Sequence, residues 1–596
     1  MENNIAKRIE RLRNLLQESN VHYLIVPTAD PHLSEYVASH WKCREWISGF
    51  TGSAGTVVLS QSEAGLWTDS RYFLQAEEQL SGSGILLYKE NTGNTPSLYD
   101  WICSRAKQGE CVGFDGSLFS ANEVERMCKR FSEHNLTIKT DIDFIGQLWR
   151  GRPALPNTEI FYLDEKYSGE TLPEKWSRIR TQIQKEKADS LLITALDEVA
   201  WCFNLRASDV EYNPVAIAYA ILTNDSATLF TDCSRIASKA QAKLLENGVE
   251  LLPYDSIYKV LASLTEKRRI IIDPDKVNHA LATAISHKKC IVTASSPIAL
   301  LKSIKNETER NGIKSAVVKD GVALSQAFRW LEECVENGTR VSELSFAQKL
   351  HEFRSQQEDF FCESFGTIAG YGEHGAIVHY SATEESDAEI GKEGLLLVDS
   401  GGNYFDGTTD ITRTVHLGTP TPQQKKDYTN VLKGHIALAT AHFPQGTRGA
   451  QLDVLARQFL WDSCEDYGHG TGHGIGHFLC VHEGPQNIRT RDNGTELQAG
   501  MLISDEPGLY KKGQYGIRIE NMVMVQEYAN DDEFGRFLQL ETVTLFPYET
   551  KLIDTSLLSE KERNWINQYH QKVYDKIAPF LDEETRIWLS EKVKTI

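Results

Sequence analysis

The sequence predicts a mixed protein, α/β in its first half and α+β in its second. Two related α/β domains are followed by a larger unit made of two similar halves. Three observations predict this: a duplication in the N-terminal half, a second in the C-terminal half, and apolar spacing that switches between helical and strand periods.

The first duplication aligns RLRNLLQESNVHYLIVP (11–27) with RIRTQIQKEKADSLLIT (178–194), and TVVLSQSEAGLWTDS (56–70) with AYAILTNDSATLFTD (218–232). Each copy reads as an amphipathic helix, an apolar strand, alternating strands and a further helix. GRPALPNT (151–158) supplies a Pro- and Gly-containing linker, so the domains run over 1–156 and 157–305. The second duplication aligns GTRVSELSFAQKLHEF (338–353) with GTRGAQLDVLARQFLW (446–461). Helical patterns over 309–335 and 422–443 precede the copies, and apolar strands ending in acid follow them, GLLLVDSGG (394–402) and GMLISDEPG (500–508). A repeated helix–helix–strand unit predicts pseudo-two-fold symmetry in a third domain, 306–596, with ligands drawn from both halves. Residues 557–596 read as helical and are expected to pack on the outside.

At 596 residues the chain is too long for one core. Its net charge of −20 argues against a phosphate-backbone partner, so nucleic acid is not expected. MENNIAKRIERLRNLL lacks the pattern of a secretory signal, and no apolar run is long enough to span a membrane. The eleven cysteines are scattered without a CxxC pair, which suits buried, reduced thiols and a cytoplasmic protein.

Acids in apolar surroundings mark the site. Asp399 ends the strand LLLVD. Gly401, Gly402, Asn403 and Gly407 turn the chain, and TTDITRTVHL resumes strand alternation with Asp410 inside it. The second half repeats the device with Glu506, closing MLISDE, and Glu520 in YGIRIENMVMV. Such carboxylates are costly unless paired or metal-bound. Between them, HGTGHGIGHFLCVHEGP (469–485) brings His469, His473 and His482 into one glycine-rich stretch. One imidazole with several carboxylates is a hard, oxygen-rich set suited to manganese or magnesium. Four carboxylates favour two ions, which together activate a shared water. Competing motifs fail: GTGHGIG has Ile475 where a dinucleotide loop needs its third glycine, His482-Glu483 does not extend to HExxH, and GFTGSAG is no nucleophile elbow.

The order Asp399, Asp410, His473, Glu506, Glu520 resembles the pita-bread metallopeptidases. HGAIVHY (374–380), DGTTDITRT (406–414), HGTGHGIG (469–476), VHEGP (481–485), DEPGLY (505–510) and GIRIEN (516–521) are similar to the motifs of aminopeptidase P, the Xaa-Pro aminopeptidases. The two N-terminal domains then resemble the creatinase-like domains of that family's long form. The resemblance implies two divalent ions, usually manganese, on those five residues, with Asp410 and Glu520 bridging. It implies Glu506 as proton shuttle, and His379, His469 and His482 as substrate-positioning histidines. Arg518 would orient the carboxylates and Tyr510 would line the site. It further implies hydrolysis of the N-terminal Xaa-Pro bond of peptides by a metal-activated hydroxide, and a homodimer. The alternatives are a prolidase, cleaving Xaa-Pro dipeptides, and a non-catalytic pita-bread binding module. All five ligands stand here, which speaks against the module.

Overall fold

The computed structural model describes residues 4–93 and 95–596. They form two compact units, Met1–Leu163 with Glu170–Ile298, and Asp164–Gly169 with Ala299–Ile596.

The first unit opens with helix α1 (Ile5–Glu18), whose Ile9, Leu12 and Leu16 share one buried face because they recur at helical spacing. The strands β1 (Tyr23–Pro27), β2 (Thr56–Ser60), β3 (Ala64–Thr68), β4 (Leu86–Lys89), β5 (Cys111–Gly113) and β6 (Thr137–Lys139) form a sheet ordered β4-β3-β2-β1-β5-β6. Helix α2 (Leu172–Lys185), started by a Thr171–Glu174 capping box, begins the second copy. Its strands are β7 (Ser190–Ile193), β8 (Tyr219–Thr223), β9 (Ala227–Phe230), β10 (Val249–Leu252), β11 (Ile270–Ile272) and β12 (Ile291–Thr293). They run β10-β9-β8-β7-β11-β12, which is the first order repeated strand for strand. In both sheets the first strand pairs antiparallel with the second and parallel with the fifth.

The second unit carries the other duplication. Its first half is α3 (Glu307–Glu336), α4 (Glu343–Ser355), β13 (Ile368–Tyr371), β14 (Leu395–Ser400) and β15 (Ile411–His416), with sheet order β13-β14-β15. Its second half is α5 (Pro422–Ala439), α6 (Gly449–Trp461), β16 (Gly472–Gly474), β17 (Glu483–Ile488) and β18 (Leu502–Asp505). A two-stranded ribbon, β19 (Gly508–Lys511) and β20 (Tyr515–Arg518), precedes β21 (Asn521–Asp531) and β22 (Gly535–Thr542). Within a six-stranded sheet, β16, β18 and β21 are consecutive, matching β13, β14 and β15. The duplicated acids fall at equivalent places. Asp399 lies near the end of the central strand and Glu506 just past its counterpart, while Asp410 and Glu520 each stand immediately before the third strand.

Helices α7 (Glu560–Ile577) and α8 (Glu583–Lys592) lie at the surface of the unit, as expected, and turn one face into its core. Ile566, Tyr569, Val573, Ile577 and Leu589 join Tyr428, Leu432, Ile517 and Met522 in the main core of the unit. Apolar positions in α7 recur at helical spacing, and each such side chain stabilises by about 1.5–3 kcal/mol when fully buried. The cysteines are all free thiols, but only Cys43, Cys111, Cys202 and Cys290 are fully buried, and Cys128 and Cys464 are exposed. Among the described residues no helix is long and apolar enough to cross a membrane.

If that face of α7 is core, Ile566→Ala should cost about 2–5 kcal/mol and lower the thermal unfolding temperature of the second unit. An unchanged transition would assign that face to the periphery.

Candidate metal centre

Register places Asp399 beside Thr412 on one face. Asp399 in β14 pairs directly with Thr412 in β15, so the two side chains point the same way. Asp410 does not lie inside the strand as expected; it stands just before β15, where pairing lapses. Glu520 occupies the same kind of break between β20 and β21. There its N–H donates to Thr412 O (3.1 Å) and its carbonyl accepts from Arg413 Nη1 (2.6 Å), so partners outside the regular ladder satisfy the kinked backbone.

Asp410, His473 and Glu520 converge, each offering a ligand atom within 4.8 Å of the others. His473 Nε2 lies 3.4 Å from Asp410 Oδ2 and 3.6 Å from Glu506 Oε1. The glycines flanking His473 are required by close approach. A Cβ on Gly472 would fall 2.0 Å from Ser504 O, and one on Gly474 2.2 Å from Glu483 O. Asp399 is tied to the group by Arg518, whose Nη2 donates to Asp399 Oδ2 at 2.6 Å. Arg518 Nε donates to Thr412 Oγ1 (3.1 Å), and Thr412 donates in turn to Glu520 Oε2 (2.8 Å). Arg518 Nη1 donates to the Tyr510 hydroxyl at 2.7 Å, and that hydroxyl lies 2.8 Å from His469 Nε2. Because His469 Nδ1 is 2.7 Å from Gly470 O, its proton sits on Nδ1 and Tyr510 donates to Nε2. The rings of His473 and His482 stand edge to face, 4.4 Å between centroids. His379 is half-buried in the turn after a 3₁₀ segment (Gly372–Ala376), where Gly375 packs against Gly516 in β20. Thr412 extends the set expected from motifs. A threonine inside a strand gives no local signal, because its importance comes from Arg518 and Glu520, more than a hundred residues away.

The electrostatics suit a cation. Burial pushes the Asp399 carboxyl up, Arg518 opposes this and the Asp410 charge adds to it. Burial carries Glu506 up to about 7, although His473 and Arg518 pull it down, and Glu520 is raised well above the usual carboxylate range, by burial and by Asp410, Asp399 and Glu506. Burial would lower His473, but its hydrogen bond to Asp410 and the charge of Glu506 bring it to about 9. Asp399 Oδ1 is buried with no hydrogen-bond partner among the described residues. His473 Nδ1 is held by Gly474 O at 3.0 Å, which leaves Nε2 as the ligating atom, the usual arrangement of a metal-bound imidazole. Crowded carboxylates, an orphaned oxygen and an oriented imidazole fit a divalent ion.

Residues 8–142 and 151–309 each match the family described as Creatinase/Prolidase N-terminal domain. Residues 311–527 match Metallopeptidase family M24, and residues 536–596 match the C-terminal region of peptidase M24. The chain is 42% identical to a probable Xaa-Pro aminopeptidase P of Laccaria bicolor, over 98% of this chain and 93% of the relative. It is 40% identical to Xaa-Pro aminopeptidase 1 of Dictyostelium discoideum, over 99% and 97%. The crystal structure of an X-prolyl aminopeptidase from Caenorhabditis elegans, described as a cytosolic enzyme with a di-nuclear active site, superposes with a TM-score of 0.96. It is 33% identical and covers 100% of both chains. An Xaa-Pro dipeptidase from Bacillus anthracis, 25% identical, covers 64% of this chain and 99% of its own, with a TM-score of 0.50.

Linkage gives the pH dependence a sign. A carboxyl whose pKa is raised on folding contributes stability that is complete below its ordinary value, 4.5, and lost as pH rises through its folded value, about 7 for Glu506. Metal-stripped protein should therefore lose thermal stability between about pH 5 and 8. Adding Mn2+ near neutral pH should release protons in a weakly buffered titration, because the ion displaces them. No proton release would mean that the carboxylates are already ionised without metal.

Proposed function

This chain belongs to metallopeptidase family M24, and we propose that it is an Xaa-Pro aminopeptidase, removing the first residue from peptides that carry proline second. The observation that carries the reading is the end-to-end match, both N-terminal domains included, with proteins described as Xaa-Pro aminopeptidases. The dipeptidase of Bacillus anthracis reaches only 64% of the chain. The cytosolic relative from Caenorhabditis elegans supports a cytoplasmic setting here.

In this reading Asp399, Asp410, His473, Glu506 and Glu520 would hold two divalent ions, manganese by preference for oxygen donors. When bound, such ions lower the pKa of a water toward about 7 and polarise the scissile carbonyl. Glu506 accepts the proton that the attacking water gives up and delivers it to the proline nitrogen as the C–N bond breaks. Arg518 holds Asp399 and Tyr510, and Tyr510 holds His469, so one guanidinium orients a metal ligand and an outer histidine together. His379, His469 and His482 position the substrate and stabilise the negative charge that develops on the carbonyl oxygen as water adds to the carbonyl carbon. Proline makes a tertiary amide without an N–H, so it is selected by the shape of the site, while a free α-amine limits attack to the first residue.

Reloaded with Mn2+, the protein should release arginine from Arg-Pro-Pro and leave Arg-Ala-Ala and Gly-Pro uncut. Turnover of Gly-Pro alone would assign it as a prolidase, and no turnover of any peptide would leave a binding module. Asp410→Ala should reduce turnover to below about a thousandth and lower bound metal, measured by elemental analysis. His482→Ala should reduce kcat by about a hundred- to a thousandfold at unchanged metal content; an unchanged kcat would make His482 structural.

A further inference from the structure

One carboxylate beside the metal centre is met by two lysines. Glu483 follows His482 directly and opens β17. Its Oε1 accepts from Lys305 Nζ at 2.5 Å, and its Oε2 lies 2.7 Å from Lys302 Nζ. All three side chains are only 1% exposed. Lys305 Nζ also donates to Lys302 O at 3.0 Å. The backbone fastens the same segment, since Lys305 N donates to Gly500 O at 2.9 Å and Ile304 forms a β-bridge with Met501, immediately before β18. β18 leads directly into Glu506.

A buried ion triad is weak evidence for stability, because apolar residues of similar volume would hold the fold as well. What the triad adds is a fixed geometry. The chain around His482 has little regular structure to hold it. Residues 475–482 form no strand, and the β16–β17 register jumps between His473↔Asn487 and Gly474↔Glu483. The His482 ring nevertheless meets the His473 ring at 4.4 Å. Glu483, clamped on both oxygens, is the adjacent fixed point.

We propose that Lys302 and Lys305 act through Glu483 as positioning residues that hold His482 at the metal centre. The inference rests on the role given to His482 above. It makes turnover depend on the short segment by which the chain enters its second unit, remote in sequence from every metal ligand.

The test is a double-mutant cycle on Mn2+-loaded full-length protein, measuring kcat, KM and bound metal with Arg-Pro-Pro. Glu483→Gln should lower kcat at least tenfold while KM and bound metal stay within twofold of the parent. Combined with His482→Ala it should lower kcat no further than His482→Ala alone. Should Glu483→Gln fail to fold, the apolar triple variant K302M/K305M/E483M keeps the volume without the charges, and once folded and metal-loaded should show the same loss. A parental kcat in folded Glu483→Gln or in the triple variant would overturn the proposal, as would losses that multiply in the cycle. A parental kcat in His482→Ala would instead overturn the role of His482 itself.

Discussion

Carboxylates that the protein brings together but does not neutralise set the terms of the catalytic half. Asp399, Asp410, Glu506 and Glu520 crowd one buried pocket, with Arg518 in contact and His473 among them. Mutual repulsion and burial raise Asp399, Glu506 and Glu520, a state that costs stability unless protons or metal ions supply the missing positive charge. The scaffold is rigid where those charges are placed. Asp399 lies in a fully buried strand, and Asp410, Glu506 and Glu520 stand at strand ends backed by β14, β15, β18 and β21. Breaks in the ladder fall at Asp410 and Glu520, and at Glu520 Arg413 and Thr412 satisfy the freed backbone.

The outer histidines are held differently. They lie on loops, which carry more conformational freedom than strands, and each loop is fastened by a buried charged group. Arg457 donates to His469 O and Tyr467 O, both at 2.8 Å, while bound to Asp453. Glu483, between two lysines, stands beside His482. Glu343, fully buried at the start of α4, accepts from Tyr371 N (2.7 Å), His374 Nδ1 (2.9 Å), the Tyr380 hydroxyl (2.8 Å) and Ala388 N (3.1 Å). Those donors bracket His379. The crowded carboxylates thus take their precision from sheets, and the surrounding histidines take theirs from charged anchors under loops.

Duplication ties the architecture together at two scales. The first unit repeats one six-stranded order, and the second repeats a helix–helix–sheet unit whose acids fall at equivalent strand positions. The site draws Asp399 and Asp410 from one half and His473, Glu506 and Glu520 from the other, so neither half alone assembles it.

By itself the sequence determined whatever depends on local repetition. Apolar spacing in α1 and α7, the duplicated segments at 11–27 and 178–194, and acids ending apolar runs at Asp399 and Glu506 were all legible, because helix and strand periods are properties of neighbouring residues. The motif order also suggested a ligand set, of which Asp410, His473 and Glu520 converge in the structure, since each sits in a distinctive local string. Tertiary structure alone decided that α7 enters the core, that Asp410 stands in a ladder break, and that Thr412 joins Arg518 to Glu520. It also paired Glu483 with lysines almost two hundred residues upstream. A lysine before a helix or a threonine in a strand looks the same whether it faces water or a buried carboxylate. Charge pairing depends on distance in space, and that distance exists only once the chain has closed.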